Sequence, residues 1–236
     1  MTLLKVEGLT KKFGGLVANS NVTFSIEKGE ILGIVGPNGA GKTTLFNGIS
    51  GVYKIDSGKV IFNGEDVTNM PSYELCKKGI GRTFQIPMSL DGMTVLDNVT
   101  VGAMVRDSDV TNARRDAMEV LRFSGLAEFA YKMVGSLSVI QKKRLEIARA
   151  LATKPQLLLL DECMAGLHGA ERNRAVDFIR EINRMGVTIL TIEHVMQVVM
   201  NVSNRVVVLL YGEKIAEGTP QEVTNNETVI SAYLGG

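Results

Sequence analysis

EILGIVGPNGAGKTT, residues Glu30–Thr44, runs from a short β-rich segment through a glycine-rich loop into helix-forming sequence. Its centre, GPNGAGKT (Gly36–Thr43), has the spacing of a phosphate-binding loop, and a strand before it with a helix after it is the setting that loop requires. Gly36, Gly39 and Gly41 let the backbone curl around phosphate oxygens without side-chain obstruction, with Pro37, Asn38 and Ala40 completing the loop. A helix beginning at Lys42 aims its free N–H groups and positive dipole end at the anion. Lys42 then supplies a full charge to the β and γ phosphates. Thr43 offers a hydroxyl to Mg²⁺, and Thr44 stands where it can bond a phosphate. The competing explanation is a glycine-rich turn that matches by chance, and the strand–loop–helix setting argues against it. Nucleotide binding, as ATP with Mg²⁺, is the expectation.

On the N-terminal side, KVEGL and NVTFSIEKGE read as strands broken by glycine. The helix after the loop should reach about Gly51. Lys59–Phe62 forms another strand, with Asn63-Gly64 supplying hairpin-turn chemistry. From about Met88 to Pro155 the pattern becomes helical. Asn112–Phe123 places Ala113, Ala117, Val120 and Leu121 on one face, with Gly125 near its end. A second helix is predicted from Ser138 to about Lys154, burying Leu145, Ala148, Leu151 and Ala152 and stopping at Pro155. Beyond it lie QLLLLD, VTILTIEH and RVVVLLYG, continuous apolar runs of the kind buried on both faces of a parallel sheet, separated by helical stretches. Strand and helix in alternation give the α/β class.

QLLLLDE (Gln156–Glu162) ends a buried strand in two carboxylates. Taken alone they could merely solvate the strand end. Downstream of a phosphate loop, Asp161 is expected to hold Mg²⁺, usually through water, and Glu162 to polarise an attacking water. Gln85 in RTFQIP and His194 after VTILTIE are unremarkable if read in isolation.

The bulk numbers agree with one unit carrying a subdomain. The chain has 236 residues, 45% apolar and 22% charged, enough to bury a real core. Lys and Arg number 26 against 25 acids, so the net charge of +1 gives no argument for nucleic acid. Cys76 and Cys163 have no zinc or disulfide spacing, which suits a reduced, cytosolic setting. MTLLKVEGLTKKF lacks the apolar core of a secretory signal, and no apolar run approaches the roughly 18 residues of a membrane span. Work at a membrane would require a partner.

Read in order, GPNGAGKT, Gln85, LSVIQ, LLLLDE, MAGL and His194 resemble an ABC ATPase subunit across essentially the whole chain. LSVIQKKRLEIARAL (Leu137–Leu151) looks like the family's signature motif and the helix behind it. More narrowly, FGGLVA, GIGRTFQ, LEIARAL, MAGL and AYLG are similar to the ATPases of branched-chain amino acid importers, whose relatives are associated with other small polar solutes. The resemblance implies a P-loop NTPase core of the RecA-like kind with a mainly parallel sheet. It also implies an N-terminal antiparallel β subdomain, and a helical subdomain of about 88–156 inserted between core segments 1–87 and 157–236.

The same resemblance implies roles. Phe13 would stack on adenine, where a buried core phenylalanine is the alternative. Gln85 would sense the γ-phosphate and Mg²⁺. Ser138 and Gln141 would reach the nucleotide of a partner chain in a head-to-tail sandwich, and His194 would hold the γ-phosphate beside the attacking water. Implied partners are transmembrane permease subunits, a second copy or a related ATPase, and indirectly an external solute-binding protein. The implied location is peripheral, on the inner face of the cell membrane.

Three positions depart from the family pattern. Val139-Ile140 replace residues that usually include a glycine, Cys163 replaces a common proline, and His168 stands where asparagine or aspartate is usual. Ser138 and Gln141 also fit an S-x-x-Q capping box, which by itself would explain both. A catalytically weak regulatory subunit and a soluble ABC ATPase are the alternative functions.

Overall fold

The computed structural model describes residues 1–85, 88–167, 169–193 and 196–234. In chain order its elements are β1 (Thr2–Phe13), β2 (Leu16–Glu27), β3 (Ile31–Val35), α1 (Lys42–Ile49), β4 (Ser57–Phe62), β5 (Glu65–Asp66), α2 (Ser72–Lys78) and β6 (Ile80–Arg82). Then follow α3 (Val95–Ala103), α4 (Val110–Phe123), α5 (Val139–Ala152), β7 (Leu157–Asp161), α6 (Gly169–Arg184), β8 (Thr188–Ile192), α7 (Met196–Val202), β9 (Arg205–Leu210), β10 (Glu213–Gly218), α8 (Pro220–Thr224) and α9 (Glu227–Leu234). The chain divides into two compact units, Met1–Leu75 with Met164–Gly236, and Cys76–Cys163.

The first unit contains an antiparallel sheet in the order β2-β1-β4-β5. Alternation buries Leu4 and Val6 of β1 and Val22, Phe24 and Ile26 of β2, and a register shift between Val6 and Leu9 brings Leu9 inward as well. Asn63 and Gly64 both take positive φ, 51° and 78°, as a two-residue hairpin turn requires. In the same unit β3 lies between β8 and β9, parallel to both, and β10 pairs antiparallel with β9. All five residues of β3 and of β8 are buried, which explains why these runs are continuously apolar. Gly33 permits the close approach of α7, since a Cβ there would lie 2.6 Å from Val199 and 2.7 Å from Ser203.

The second unit pairs β6 with β7 in parallel, Arg82 opposite Leu159, and carries α3, α4 and α5. Its core takes Val95 and Val99 from α3, Ala113, Ala117 and Leu121 from α4, and Leu145, Ala148 and Ala152 from α5. Val120, expected on the inward face, is only partly buried at the flank of that core. Helix α4 starts two residues before its predicted beginning because the Asp109 carboxylate accepts from the N–H groups of Thr111 (2.8 Å) and Asn112 (3.0 Å). Helix α5 ends just short of the predicted Lys154, which sits at φ 48° before Pro155. The expected α/β class, with a mostly parallel sheet, an antiparallel N-terminal sheet and a group of helices, is the architecture observed.

Candidate functional site

The phosphate loop is folded as its glycines dictate. Gly39 and Gly41 take φ 81° and 92°, in the left-handed region that costs a side-chain-bearing residue about 1–3 kcal/mol. A Cβ on Gly41 would stand 2.3 Å from the Ala18 carbonyl oxygen, and one on Gly36 would stand 2.2 Å from that of Leu209. The loop is therefore braced from two sides. Asn19 of β2, fully buried, donates from Nδ2 to the Gly41 carbonyl at 3.2 Å, and Gly212 donates its N–H to the Ala40 carbonyl at 3.1 Å.

Lys42 is 5% exposed, and its ammonium donates to the carbonyls of Gly36 (2.8 Å) and Pro37 (2.9 Å), which keeps the charge over the mouth of the loop. Helix α1 begins at this residue with no side-chain cap and no acid in its first turn. The first turn thus presents its positive dipole end to an anion with neither a side-chain cap nor an acid of its own there. These features fit a polyphosphate. Thr43 and Thr44 are both half-buried in that first turn.

Phe13 ends β1 and is 44% exposed, so the buried-core alternative does not apply. Its ring meets Tyr53 edge-on at 5.4 Å, with the Lys11 ammonium 5.1 Å from its centroid.

In the second unit, β7 delivers Asp161 and Glu162 to different partners. Asp161, 1% exposed, accepts from Arg82 at 3.3 Å, and Arg82 in turn lies over the Phe84 ring at 4.8 Å. Glu162 follows at φ 49°, a left-handed conformation rarely taken by a non-glycine residue. Glu162 Oε2 accepts from Gln85 Nε2 at 2.8 Å, and its carbonyl accepts from Lys143 Nζ at 3.4 Å. Gln85 and Glu162, 77 positions apart in sequence, are brought into direct contact.

Ser138 and Gln141 form the capping box. The Gln141 N–H donates to Ser138 Oγ at 3.3 Å, and the Ser138 N–H donates to Gln141 Oε1 at 2.9 Å. Ser138 is exposed, and its hydroxyl proton is not consumed by accepting a bond, so the cap leaves it a donor. Val139 and Ile140 beside it are 68% and 41% exposed. His194 and His168 lie outside the described residues.

Sequence reading missed Asn19, Arg82, Lys143 and Glu146. Glu146 is 6% exposed and accepts from the Phe84 N–H at 3.0 Å. Burial raises its pKa above the usual carboxylate range, against the lowering effect of the Phe84 and Met88 N–H groups, Arg149 and Arg82. The available signal was an acid between two apolar residues, Leu145 and Ile147, in a helix otherwise read as half-buried. Among the described residues no group of three or more His, Cys, Asp or Glu could hold a metal. No described helix is long and apolar enough to cross a membrane.

Comparison with known proteins places this geometry in a family. The model of the ABC transporter family matches residues 19–165, and that of the branched-chain amino acid ATP-binding cassette transporter matches residues 213–236. The high-affinity branched-chain amino acid transport ATP-binding protein BraF of Pseudomonas aeruginosa is 37% identical, covering 99% of this chain and 98% of the relative. LivG of Escherichia coli, of the same description, matches with the same identity and coverage. Among solved structures, the ADP conformation of an ATP-binding cassette of an ABC transporter superposes with TM-score 0.90 at 34% identity, over 100% of both chains. A dimeric post-hydrolysis cassette bound to ADP and phosphate gives TM-score 0.83 at 28% identity, over 92% of this chain and 99% of the other. The braced phosphate loop, the paired strand-end carboxylates and this likeness lead to one conclusion: the chain belongs to the ABC transporter family, as an ATP-binding, ATP-hydrolysing cassette.

Proposed function

We propose that this cassette powers an importer of branched-chain amino acids or a closely related small polar solute, working as a peripheral subunit on the cytoplasmic face of transmembrane permease subunits. The observation that carries the solute class is the 37% identity to BraF and LivG along 99% of the chain. The match of residues 213–236 to the branched-chain cassette model adds support. An external solute-binding protein would complete the system.

In this reading the phosphate loop and Lys42 hold the ATP phosphates, and Phe13, exposed at the end of β1, offers its ring to adenine. Thr43, and through water Asp161 and Gln85, would hold Mg²⁺, which when bound neutralises charge on the β and γ phosphates. Glu162 polarises the attacking water, and His194 holds the γ-phosphate beside it. Two cassettes close head to tail, and the exposed Ser138 donates to the γ-phosphate of the opposite subunit, with Gln141 beside it. Loss of that bridging phosphate reopens the pair. Support for these roles comes from family membership, from the uncapped start of α1, and from the Gln85–Glu162 contact. The pair is two copies of this chain or this chain with a related cassette, and in either case the exposed Val139 and Ile140 place branched side chains where the signature helix begins.

The test is uptake of radiolabelled leucine by the source organism with this chain replaced by a Lys42→Ala variant. Loss of uptake at normal permease levels is expected. Unchanged uptake of all three branched-chain amino acids and of other small polar solutes would overturn the solute class.

A further inference from the structure

We propose that Glu146 is the positioning residue that latches the Gln85 loop onto α5, so that the helix beginning at Ser138 and the glutamine bound to Glu162 move together. The inference rests on the role given to Gln85 above, and adds a residue and a mechanical connection that the role does not require.

The loop leaves β6 at Arg82 and reaches α3 at Val95. Its entry is held by the Thr83 N–H on the Leu159 carbonyl at 2.9 Å. Farther along, Asn98 of α3 grips Leu90 twice, accepting from its N–H at 2.9 Å and donating to its carbonyl at 3.1 Å. Between these anchors the Glu146 carboxylate accepts from the Phe84 N–H at 3.0 Å. The latched amide belongs to the residue immediately before Gln85, whose side chain donates to Glu162 at 2.8 Å.

A carboxylate only 6% exposed is expensive to desolvate, and it persists here because the Phe84 N–H and the nearby charges of Arg82 and Arg149 oppose that cost. Its position on α5 makes the bond consequential. Glu146 lies eight residues after Ser138, about two turns along one rigid helix, or roughly 12 Å. A displacement of that helix is therefore passed through Glu146 to the backbone just before Gln85. Glutamine at this position keeps an acceptor oxygen but loses the charge, so it retains a weaker bond. Alanine retains none.

Hydrogen exchange at the Phe84 amide reads the latch directly and does not depend on what Gln85 does. In the purified chain, Glu146→Ala should exchange at this amide about tenfold faster than the wild type, and Glu146→Gln should fall between them. Exchange in the α4 amides serves as the control for the fold. ATP hydrolysis then reads the consequence. Glu146→Ala should lower kcat about tenfold with little change in KM, and Glu146→Gln should restore part of it. In a Gln85→Ala background Glu146→Ala should cause no further loss. Unchanged exchange at Phe84 in Glu146→Ala would overturn the latch. Multiplicative losses in the double variant would overturn the claim that Glu146 acts through Gln85. Hydrolysis unaffected by Gln85→Ala alone would overturn the role of Gln85 and this proposal with it, even if the exchange result held.

Discussion

Gln85 donates its side-chain amide to the Glu162 carboxylate at 2.8 Å, joining the loop after β6 to the residue that follows β7. The contact fixes a carboxylate whose own backbone takes the left-handed φ of 49°. A charge-assisted hydrogen bond of this kind is worth about 1.5–3 kcal/mol, or roughly tenfold to a hundredfold in rate if it is used at the transition state. Gln85→Ala should therefore lower kcat within that range while the KM for ATP moves by less than about threefold. Steady-state kinetics over a range of ATP concentrations checks this.

Gly41→Ala should abolish nucleotide binding and destabilise the chain. Its φ of 92° disfavours any Cβ, and the Cβ would stand 2.3 Å from the Ala18 carbonyl oxygen. A loss of about 1–3 kcal/mol from the backbone alone is expected, with the clash adding to it. For a chain of this size that lowers Tm by roughly 2–4 °C per kcal/mol. Calorimetry and titration with a fluorescent ATP analogue measure the two effects separately.

The phosphate loop and the three buried strands were legible because each is written in neighbouring residues: a fixed glycine spacing, and apolar runs long enough to exclude other readings. β6 was not, since three residues, Ile80–Arg82, show no periodicity. β10 was not, since Glu213–Gly218 is polar and takes its pairing from β9. At the site, Ser138 and Gln141 were readable as a cap from their spacing. Glu146 was invisible in its function because an acid in a helix normally faces water, and what buries it is a loop some 60 residues earlier in the chain. The contact between Gln85 and Glu162 is equally a product of tertiary pairing, through β6 beside β7.

Capping and nucleotide contact at Ser138 can be separated by chemistry. Ser138→Ala removes the cap and should cost about 1 kcal/mol of stability. Ser138→Asp keeps an N-cap acceptor, so its stability should stay within roughly 0.5 kcal/mol of the wild type. Its negative charge would repel a partner's γ-phosphate, and ATP-dependent dimers should be lost. Urea denaturation beside size-exclusion chromatography with ATP tests both halves.

Burial raises the pKa of Glu146 above its unfolded value. The unfolded chain therefore gives up this proton at lower pH than the folded one. The contribution is most favourable below the unfolded pKa, near 4.5, and is lost as pH rises through the raised folded value. Glu146→Gln has no proton to lose. The stability of the wild type relative to this variant should accordingly fall as pH rises from the unfolded pKa through the raised folded value and then level off, as urea denaturation at a series of pH values would record.

The most direct test of the account is ATP hydrolysis by the purified chain over a series of protein concentrations, beside a Glu162→Gln variant, with ATP-dependent dimers measured for both. Activity rising faster than linearly with concentration, reduced about 10²–10⁴-fold in the variant while its dimer persists, is the predicted result. Tight ATP binding with hydrolysis undiminished in Glu162→Gln would contradict it.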